Sequence, residues 1–537
     1  MRYEIVLSDI TLSPDVPEEE ACAAARRRFD KARLRACVLQ SSVYRCSVDA
    51  RRKSNVRLVR SVLLTCEGEL PDREHLAALH GALYSAPSLP TLMPEVGDND
   101  LPTVVVGMGP AGLFCALLLA ERGMRPILIE RGAPVRERIA LRDRFYATGE
   151  LDSDCNVQFG AGGAGTFSDG KLVTRVNDPH CALVLELLAR FGAPPDILRR
   201  ARPHVGTDLL PGIIENAAAH ILSLGGTILY RTRLTGFSVS RGRVNAVVTQ
   251  NGELPCSACV LATGHSARDV YDLLPHYGIR REPKPFSVGV RIEHLTEEID
   301  RAMYGSLAGH PALGHAEYSL SHRVSGRGVY TFCMCPGGEV VCGSTEEGGV
   351  VTNGMSKYAR DGVNSNSAIA VSVFPEDVGG TPDAAVAFQR SLEQAAFRAG
   401  GGRFTAPVST VGDLMHGTSG TAPGRVRPTY MGGERYRTAD LRDVLPPFVL
   451  NALRGGIAAF GRTLSGFDAK DAVLTAAETR TSAPMRIPRD SERLCVPELE
   501  NLYPCGEGAG YAGGITSAAA DGLKVAEKIL AEAVKKR

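Results

Sequence analysis

Residues 101–132, LPTVVVGMGPAGLFCALLLAERGMRPILIERG, constrain the fold of this chain more than any other segment. The β-branched run from Thr103 to Val106 predicts a strand, and the apolar stretch after it predicts a helix to about Arg122. A second predicted strand, from Pro126 to Ile129, ends at Glu130. A strand, a helix and a second strand in this order predict an α/β fold with a parallel sheet and helices on its faces.

Three glycines between the first strand and the helix have the spacing G-x-G-x-x-G. Gly107 permits a tight turn, Gly109 lets the backbone approach a pyrophosphate at the helix N-terminus, and Gly112 allows close packing of the helix on the strand. Glu130, eighteen residues after Gly112, can accept hydrogen bonds from a ribose. The segment therefore predicts a dinucleotide site, without choosing between NAD and FAD.

Residues 156–172, NVQFGAGGAGTFSDGKL, are the first of three further segments that favour FAD. They repeat the same glycine spacing at Gly160, Gly162 and Gly165. No strand is predicted before them, and no strand that ends in an acid follows. We therefore expect a backbone-rich loop that lies against a bound cofactor.

The other two segments are residues 256–269, CSACVLATGHSARD, and residues 502–530, LYPCGEGAGYAGGITSAAADGLKVAEKIL. The first predicts a strand whose end lets the chain pass close to a dinucleotide. The second predicts a strand before Gly506 and a helix that begins near Ile515. The amide donors of that helix suit the negative charge that develops at N1 and C2=O of a reduced flavin.

Together these segments resemble the FAD domain of the two-dinucleotide-binding-domain flavoprotein superfamily. The whole chain more closely resembles a group of uncharacterised FAD-dependent dehydrogenases of bacteria and plastids, the NAD(FAD)-utilising dehydrogenases. The resemblance is carried by SVDARRKSNVRLV, CMCPGGEVV, VTNGMSKYARDGVNSNSA and ETRTSAPMRIPRD. It spans nearly the whole chain.

The resemblance implies a Rossmann-like FAD-binding domain and a set of residues along the cofactor. Glu507 takes the place where many such proteins have an aspartate near the ribityl chain. The implied FAD-binding residues are Gly107, Gly109, Pro110, Ala111, Gly112, Glu130, Arg131, Gly163, Gly165, Gly170, Lys171, Thr263, Gly264, Gly506, Glu507, Gly513, Gly514 and Ile515.

Catalytic residues are harder to predict, because a flavin supplies the redox chemistry and the protein places the substrate and tunes the ring. His265 follows the cofactor-side glycine and could transfer a proton, or make a structural hydrogen bond. Arg480 could anchor an anionic substrate or the flavin. Lys171 could stabilise flavin N1 or N5, or form a surface salt bridge.

Two pairs of cysteines need an interpretation. Cys256 and Cys259 form a C-x-x-C, but they lie in a predicted buried strand and not on a helix beside the flavin, so we do not predict a redox disulfide there. Cys333 and Cys335 alternate along one predicted strand and share a face. Two thiols are too few for a zinc site, and we predict no metal.

The chain of 537 residues is too long for one ordinary domain. We expect an N-terminal α+β domain (1–96), the FAD-binding domain in two parts (97–285 and 467–537) and an inserted β-rich substrate or cap domain (286–466). In the first domain we expect a strand at Tyr3–Leu12, a helix from Glu18 to about Leu34, and strands near Val43–Val48 and Val56–Cys66. No second strand-glycine-helix-acid unit occurs within the insert. NAD(P)H, if it reduces the flavin, would therefore bind transiently.

The charge is balanced, with 61 basic and 60 acidic residues. Residues 21–66, however, contain twelve basic residues against Asp30 and Asp49, which predicts either an RNA-binding surface or an ordinary solvated face. Fourteen cysteines without framework spacing, no secretory signal and no membrane span predict a cytoplasmic protein.

The function that these observations predict is hydride transfer between a small organic substrate and FAD. Two alternatives stay open. One is a flavin monooxygenase, and the other is an RNA-associated flavoprotein that uses the basic N-terminal domain. The substrate, the electron acceptor and the oligomeric state are not predicted.

Overall fold

The computed structural model describes residues 1–91 and 100–535. The predicted boundary between residues 96 and 97 lies outside this part of the chain. The N-terminal elements are β1 (Arg2–Leu12), α1 (Glu18–Lys31), β2 (Ala36–Asp49), β3 (Arg57–Gly68), α2 (Arg73–Ala78) and β4 (Gly81–Leu83). The four strands form one antiparallel sheet in the order β2-β3-β1-β4.

Two N-terminal elements differ from their predicted bounds. Helix α1 ends at Lys31 and not near Leu34, because Arg33 adopts a left-handed backbone conformation with φ of 51°. Strand β2 begins at Ala36, well before the predicted start near Val43. It is long because it pairs with β3 over nearly its whole length.

The next segment, up to Pro283, alternates strands and helices as predicted only at its start; three successive helices and then five successive strands follow. Its elements are β5 (Thr103–Val106), α3 (Pro110–Glu121), β6 (Ile127–Ile129), α4 (Val135–Thr148), α5 (Pro179–Arg190), α6 (Leu210–Ser223), β7 (Thr227–Leu229), β8 (Leu234–Ser240), β9 (Arg243–Thr249), β10 (Gly252–Pro255), β11 (Ala258–Leu261), α7 (Arg268–Leu273) and β12 (Glu282–Pro283). Strands β8, β9 and β10 form a small antiparallel sheet.

The segment that follows contains β13 (Phe286–Leu295), α8 (Thr296–Tyr304), β14 (Ser321–Val324), β15 (Arg327–Cys335), β16 (Gly338–Cys342), β17 (Thr352–Ser356), β18 (Asn364–Val373), α9 (Pro382–Gly400), β19 (Ala406–Thr410), α10 (Val411–His416), β20 (Tyr436–Thr438), α11 (Pro447–Thr463) and β21 (Val473–Glu478). Seven of these strands form a sheet in the order β14-β15-β18-β13-β21-β19-β20. The long helices α9 and α11 were not predicted. Strand β21 pairs with β13 and β19, so this sheet continues past the predicted boundary at residue 466.

The C-terminal elements are β22 (Met485–Arg486), β23 (Leu502–Pro504) and α12 (Ile515–Lys535). Strand β22 pairs with β12, which brings together the two points where the chain enters and leaves the seven-stranded sheet. Strand β23 completes a five-stranded parallel sheet in the order β23-β11-β5-β6-β7. The predicted discontinuous Rossmann-like fold is therefore confirmed.

Helix α3 packs in the centre of this fold. Its residues from Ala111 to Ala120 are all buried, as expected for a helix that is apolar on every side. It approaches α12 so closely that a Cβ at Gly522 would lie 2.1 Å from the carbonyl oxygen of Ala111. Among residues 1–91 and 100–535, no helix combines the length and apolar character needed to cross a membrane.

Candidate FAD-binding and active site

A cavity of about 330 Å³ lies where strands β5 and β11 end, and the inserted sheet closes its other side. Every residue that the sequence predicted to bind FAD lines it, except Gly112 and Gly506. The two other predicted catalytic residues, His265 and Arg480, also line it. The fold therefore brings segments up to about 400 residues apart in sequence around one space.

The glycine-rich turn after β5 leaves one end of the cavity open to a ligand. Gly107 has φ of 98°, and its N–H donates to the carbonyl oxygen of Ile129 at 2.8 Å. Gly109 is the N-cap of α3, without a side-chain cap. A Cβ built on Gly109 would meet only the Cα of Gly163, at 4.0 Å. Gly109, Pro110 and Ala111 line the cavity here, so the N-terminal end of α3 faces it and suits a pyrophosphate.

Glu130 connects two loops around the cavity. One of its carboxylate oxygens accepts from the N–H of Met108 at 2.8 Å, and the other accepts from the N–H groups of Gly132 and Gly160, each at 2.9 Å. A carboxylate offers about four acceptor positions, so three are already used by the backbone. The predicted ribose contact would use the remaining one.

Arg138 of α4 makes hydrogen bonds to the predicted backbone-rich loop, residues 156–172. This fully buried side chain donates to the carbonyl oxygens of Asn156, Val157 and Ala161 at 2.7–2.9 Å, and to Thr166 Oγ1 at 3.0 Å. Burial lowers the pKa of Arg138 to about 10, which leaves it charged at neutral pH. Arg138 was not among the predicted site residues, because nothing in its local sequence marks it.

Gly112 and Gly506 were predicted to bind the cofactor, and the structure places them behind the cavity wall. A Cβ at Gly112 would lie 1.9 Å from the carbonyl oxygen of Gly107, so this glycine lets the helix pack on the turn. The N–H of Gly506 donates to Asp521 at 2.8 Å. Asp521 in turn accepts from Arg489 at 2.6 and 3.0 Å. Both glycines therefore support the site through packing.

Lys171 presents a buried cation to the cavity. Its Nζ lies 3.5 Å from Asp169 and has no hydrogen-bond partner among the described residues. Burial by itself would raise the pKa of Asp169, but Lys171 and Arg360 outweigh this and hold that pKa well below its usual range. Asp169 and the nearby thiols likewise keep the pKa of Lys171 high despite its burial. The ammonium group is therefore charged and can donate to a ligand.

His265 and Glu507 face each other across the segment that follows β11. The His265 Nε2 lies 3.6 Å from a Glu507 carboxylate oxygen, which is too far for a direct hydrogen bond. Burial lowers the pKa of His265, although Glu507 opposes this shift. The imidazole is therefore neutral at neutral pH and could accept a proton.

Arg480 is more constrained than its predicted substrate-anchoring role requires. Its guanidinium donates twice to Glu393 of α9, at 3.1 and 2.9 Å, and once to Thr345 Oγ1 at 2.7 Å. The same carboxylate accepts twice from Arg268 of α7, at 2.7 and 2.8 Å. This buried cluster of two arginines and one glutamate connects the parallel-sheet part of the protein to the inserted sheet.

We expect Glu393→Gln to lower the free energy of unfolding by about 3–5 kcal/mol at neutral pH, because the buried Arg480 loses its counter-charge and Arg268 keeps only Glu346, at 3.0 Å. Burial by itself would raise the pKa of Glu393, but Arg480 and Arg268 hold it at about 2. Its contribution is therefore complete above the ordinary glutamate pKa, and is lost as the pH falls from about 5 towards 2. Denaturant unfolding of both proteins across this pH range should show their difference shrinking.

The control is Glu297→Gln. Glu297 is 78% exposed and pairs with Arg301 on the surface of α8, so its loss should change the free energy of unfolding by less than about 1 kcal/mol at any pH. A Glu393→Gln protein as stable as the wild type at pH 7 would contradict the assigned role of the cluster.

The wall contributed by the inserted sheet contains residues that were not predicted from the sequence. Phe332 is 43% exposed, and its ring faces the cavity together with Cys333, Asn353 and Glu478. Glu478 accepts from Arg291 at 2.7 and 3.2 Å. The alternating pattern around residue 332 predicts which side chains share one face of the strand. It does not predict that this face lies opposite the glycine-rich loops.

The residues present fit FAD. Gly109, Gly513 and Gly514 leave space where a side chain would protrude, and helix α12 begins at the cavity with Ile515. Lys171 supplies a buried donor that pairs with Asp169 at 3.5 Å but makes no hydrogen bond within residues 1–91 and 100–535. The N-terminal end of α3 suits the pyrophosphate of a dinucleotide. The N-terminal end of α12 and Lys171 lie further along the cavity and suit the flavin ring.

A family described as "FAD-dependent protein, C-terminal domain-like" matches residues 285–481. An "Uncharacterized protein" of Clostridium beijerinckii is 43% identical over 490 residues, which cover 90% of this chain and 91% of that protein. The chain belongs to the FAD-dependent protein family. Because a flavin acts as a redox cofactor, it is an FAD-dependent oxidoreductase, as predicted.

Solved structures are similar only at a distance. Glycine oxidase from Bacillus cereus shares 11% identity, with a TM-score of 0.32, over 81% of this chain and 96% of that chain. L-amino acid deaminase from Proteus vulgaris shares 12% identity, with a TM-score of 0.34, over 83% and 96% respectively. Nothing about the substrate of this chain follows from likenesses at this level.

Proposed function

We propose that this protein transfers a hydride between a small organic molecule and FAD, with both bound along the cavity between the glycine-rich loops and the inserted sheet. The observation that carries the proposal is the continuity of this space. It runs from the glycine turn at Gly109, past Lys171, to the wall formed by the inserted sheet. The first part suits a dinucleotide, and the inserted sheet leaves room for a substrate against the flavin.

FAD, when bound, supplies the hydride acceptor or donor. The protein's own groups bind, orient and hold protons. The amides at the start of α3 would hold the pyrophosphate, and Lys171 would stabilise negative charge on the reduced ring. Phe332 offers an apolar surface and Asn353 an amide to a substrate, while neutral His265 could accept a proton from it.

The test is an anaerobic visible spectrum of the purified protein, followed by addition of NADH and then NADPH. A flavin spectrum that bleaches rapidly with either would support a transient nicotinamide reductant. A flavin spectrum that does not bleach would favour direct reduction by substrate and would call for a screen of organic donors. Protein that stays colourless after reconstitution with FAD would overturn the proposal.

We expect Lys171→Met to make the midpoint potential of the bound flavin more negative and to slow flavin reduction about tenfold, since the variant removes a buried positive charge worth about 1–2 kcal/mol to the reduced state. Lys171→Arg keeps the charge, so the midpoint potential of its flavin should stay close to that of the wild type. Spectroelectrochemical titration and stopped-flow reduction measure the two effects. Equal potentials in the wild type and Lys171→Met would contradict the role of Lys171, whatever happens to stability.

Two alternatives lead to different results. A flavin monooxygenase would consume oxygen and NAD(P)H together with a substrate, which an oxygen electrode detects. An RNA-associated flavoprotein would bind RNA in a salt-sensitive manner through residues 21–66, and lose this binding when residues 1–96 are deleted. Several basic side chains in that segment already have partners within the protein, such as Arg28 with Ser8 and Arg60 with Val16.

A further inference from the structure

Cys333 and Cys335 lie together at the edge of the proposed active site. Their Sγ atoms are 4.0 Å apart, and the Cys335 thiol donates to the carbonyl oxygen of Cys333 at 3.3 Å. Cys333 lines the cavity, whereas Cys335 is fully buried behind it. One thiol therefore faces the space assigned to FAD and substrate, and the second is shielded from it.

The backbone between the two cysteines is irregular. The pairing of β15 with β18 shifts register between Phe332 and Cys335, and Cys333 has φ of 46°. Two residues of a regular strand span about 6.6 Å, near the upper limit of Cα separations that a disulfide bridges. At this bulge the strand is irregular, and the two Sγ atoms lie 4.0 Å apart on adjoining sides of the same turn of chain.

Charged groups around the pair favour a reactive thiolate. The hydrogen bond from Cys335, followed by the positive charges of Arg291 and Lys171, lowers the pKa of Cys333 to about 6 against the effect of burial. The pKa of Cys335 is correspondingly raised. A thiolate on the cavity side with a protonated partner behind it is the state from which dithiols react.

A metal site does not account for this pair. Within residues 1–91 and 100–535, no group of three or more histidine, cysteine, aspartate or glutamate side chains is arranged to hold a metal ion. The other cysteine pair of the sequence, Cys256 and Cys259, is buried, and neither thiol lines the cavity.

We propose that Cys333 and Cys335 form a redox-active dithiol that exchanges two electrons with FAD. In the oxidising direction the two S–H bonds break and one S–S bond forms. The two electrons and two protons pass to oxidised FAD, which becomes FADH2, and the reverse reaction restores both thiols. This inference rests on FAD binding in the cavity and adds a second redox centre to the proposed hydride transfer.

The experiment is an anaerobic reductive titration of the FAD-bound protein after full oxidation with diamide and removal of the reagent. The wild type should take up about four electrons per FAD, because the disulfide and the flavin each accept two, whereas Cys333→Ser and Cys335→Ser should take up about two. Alkylation of wild-type samples at each stage, followed by mass spectrometry, should show the peptide with Cys333 and Cys335 protected when oxidised and doubly alkylated when reduced. This second readout needs no variant to fold.

The matched control is Cys37→Ser, which changes an exposed thiol of the N-terminal sheet and should leave the uptake at about four electrons. Wild-type protein that contains FAD but takes up only about two electrons, with both cysteines alkylated at every stage, would overturn the dithiol and leave FAD-dependent hydride transfer standing. Protein that binds no FAD would overturn both proposals together.

Discussion

Replacing Gly109 with valine should abolish FAD binding while the apoprotein remains folded. Gly109 has an extended backbone conformation, with φ of −72° and ψ of −179°, which valine adopts readily. The nearest atom to an added Cβ is the Gly163 Cα at 4.0 Å, so the valine side chain would enter the cavity and not the protein core. Overlap with a pyrophosphate costs about 3 kcal/mol or more, which lowers the affinity for FAD at least about 100-fold.

Titration of the apoprotein with FAD, followed by quenching of flavin fluorescence, measures this effect, and thermal unfolding of the apoprotein tests the fold. Gly212→Val is the matched control. Gly212 is an exposed residue of α6, and an added Cβ there would meet nothing within 4 Å. The control should bind FAD like the wild type. A Gly109→Val protein with wild-type affinity would show that the pyrophosphate lies elsewhere.

The second large effect is expected for Arg138→Met. This change leaves at least four buried acceptors of the 156–172 loop without their donor, in a site from which water is excluded. The expected loss is about 3–5 kcal/mol in the free energy of unfolding, together with weaker FAD binding, because the loop that faces Gly109 is no longer held. Denaturant unfolding and FAD titration measure the two losses.

Arg136→Met provides the comparison on the same helix. The Arg136 side chain is 89% exposed and pairs with Glu215 on the surface, so its replacement should change stability by less than about 0.5 kcal/mol. If Arg138→Met and Arg136→Met behaved alike, the buried arginine would not be what holds the loop in place.

Predictions that rested on local sequence agree with the structure. The strand Thr103–Val106, the helix after it and the start of α12 at Ile515 lie where the pattern placed them. Each depends on neighbouring residues: β-branched side chains for the strand, glycines for the turn, and an apolar run for a buried helix. The parallel sheet follows from these units, because two strands joined by a helix pair in parallel and the connection is nearly always right-handed.

The inserted segment was harder to predict. The segment 286–466 was predicted to be β-rich, and its helices α9 and α11 were not predicted. The sequence does carry a signal for α9, because Pro382–Gly400 has no glycine before its last position and follows the N-cap Thr381. The continuation of the sheet through β21 was also missed, since its partners β13 and β19 are far away in sequence. The catalytic roles of His265 and Lys171, the domain boundaries and the cytoplasmic location stay predictions.

The sequence by itself determined that the chain forms a dinucleotide fold, and that Gly107, Gly109 and Glu130 lie at one end of the cavity, because those features depend on backbone freedom and spacing within about thirty residues. Only the tertiary structure decided what closes the cavity. Arg138 beneath the loop, the Arg268–Glu393–Arg480 cluster, and Phe332 and Cys333 on the opposite wall meet the cofactor segments through contacts between distant parts of the chain. Local patterns carry no information on such contacts, since burial and the pairing of buried charges depend on how whole sheets pack together.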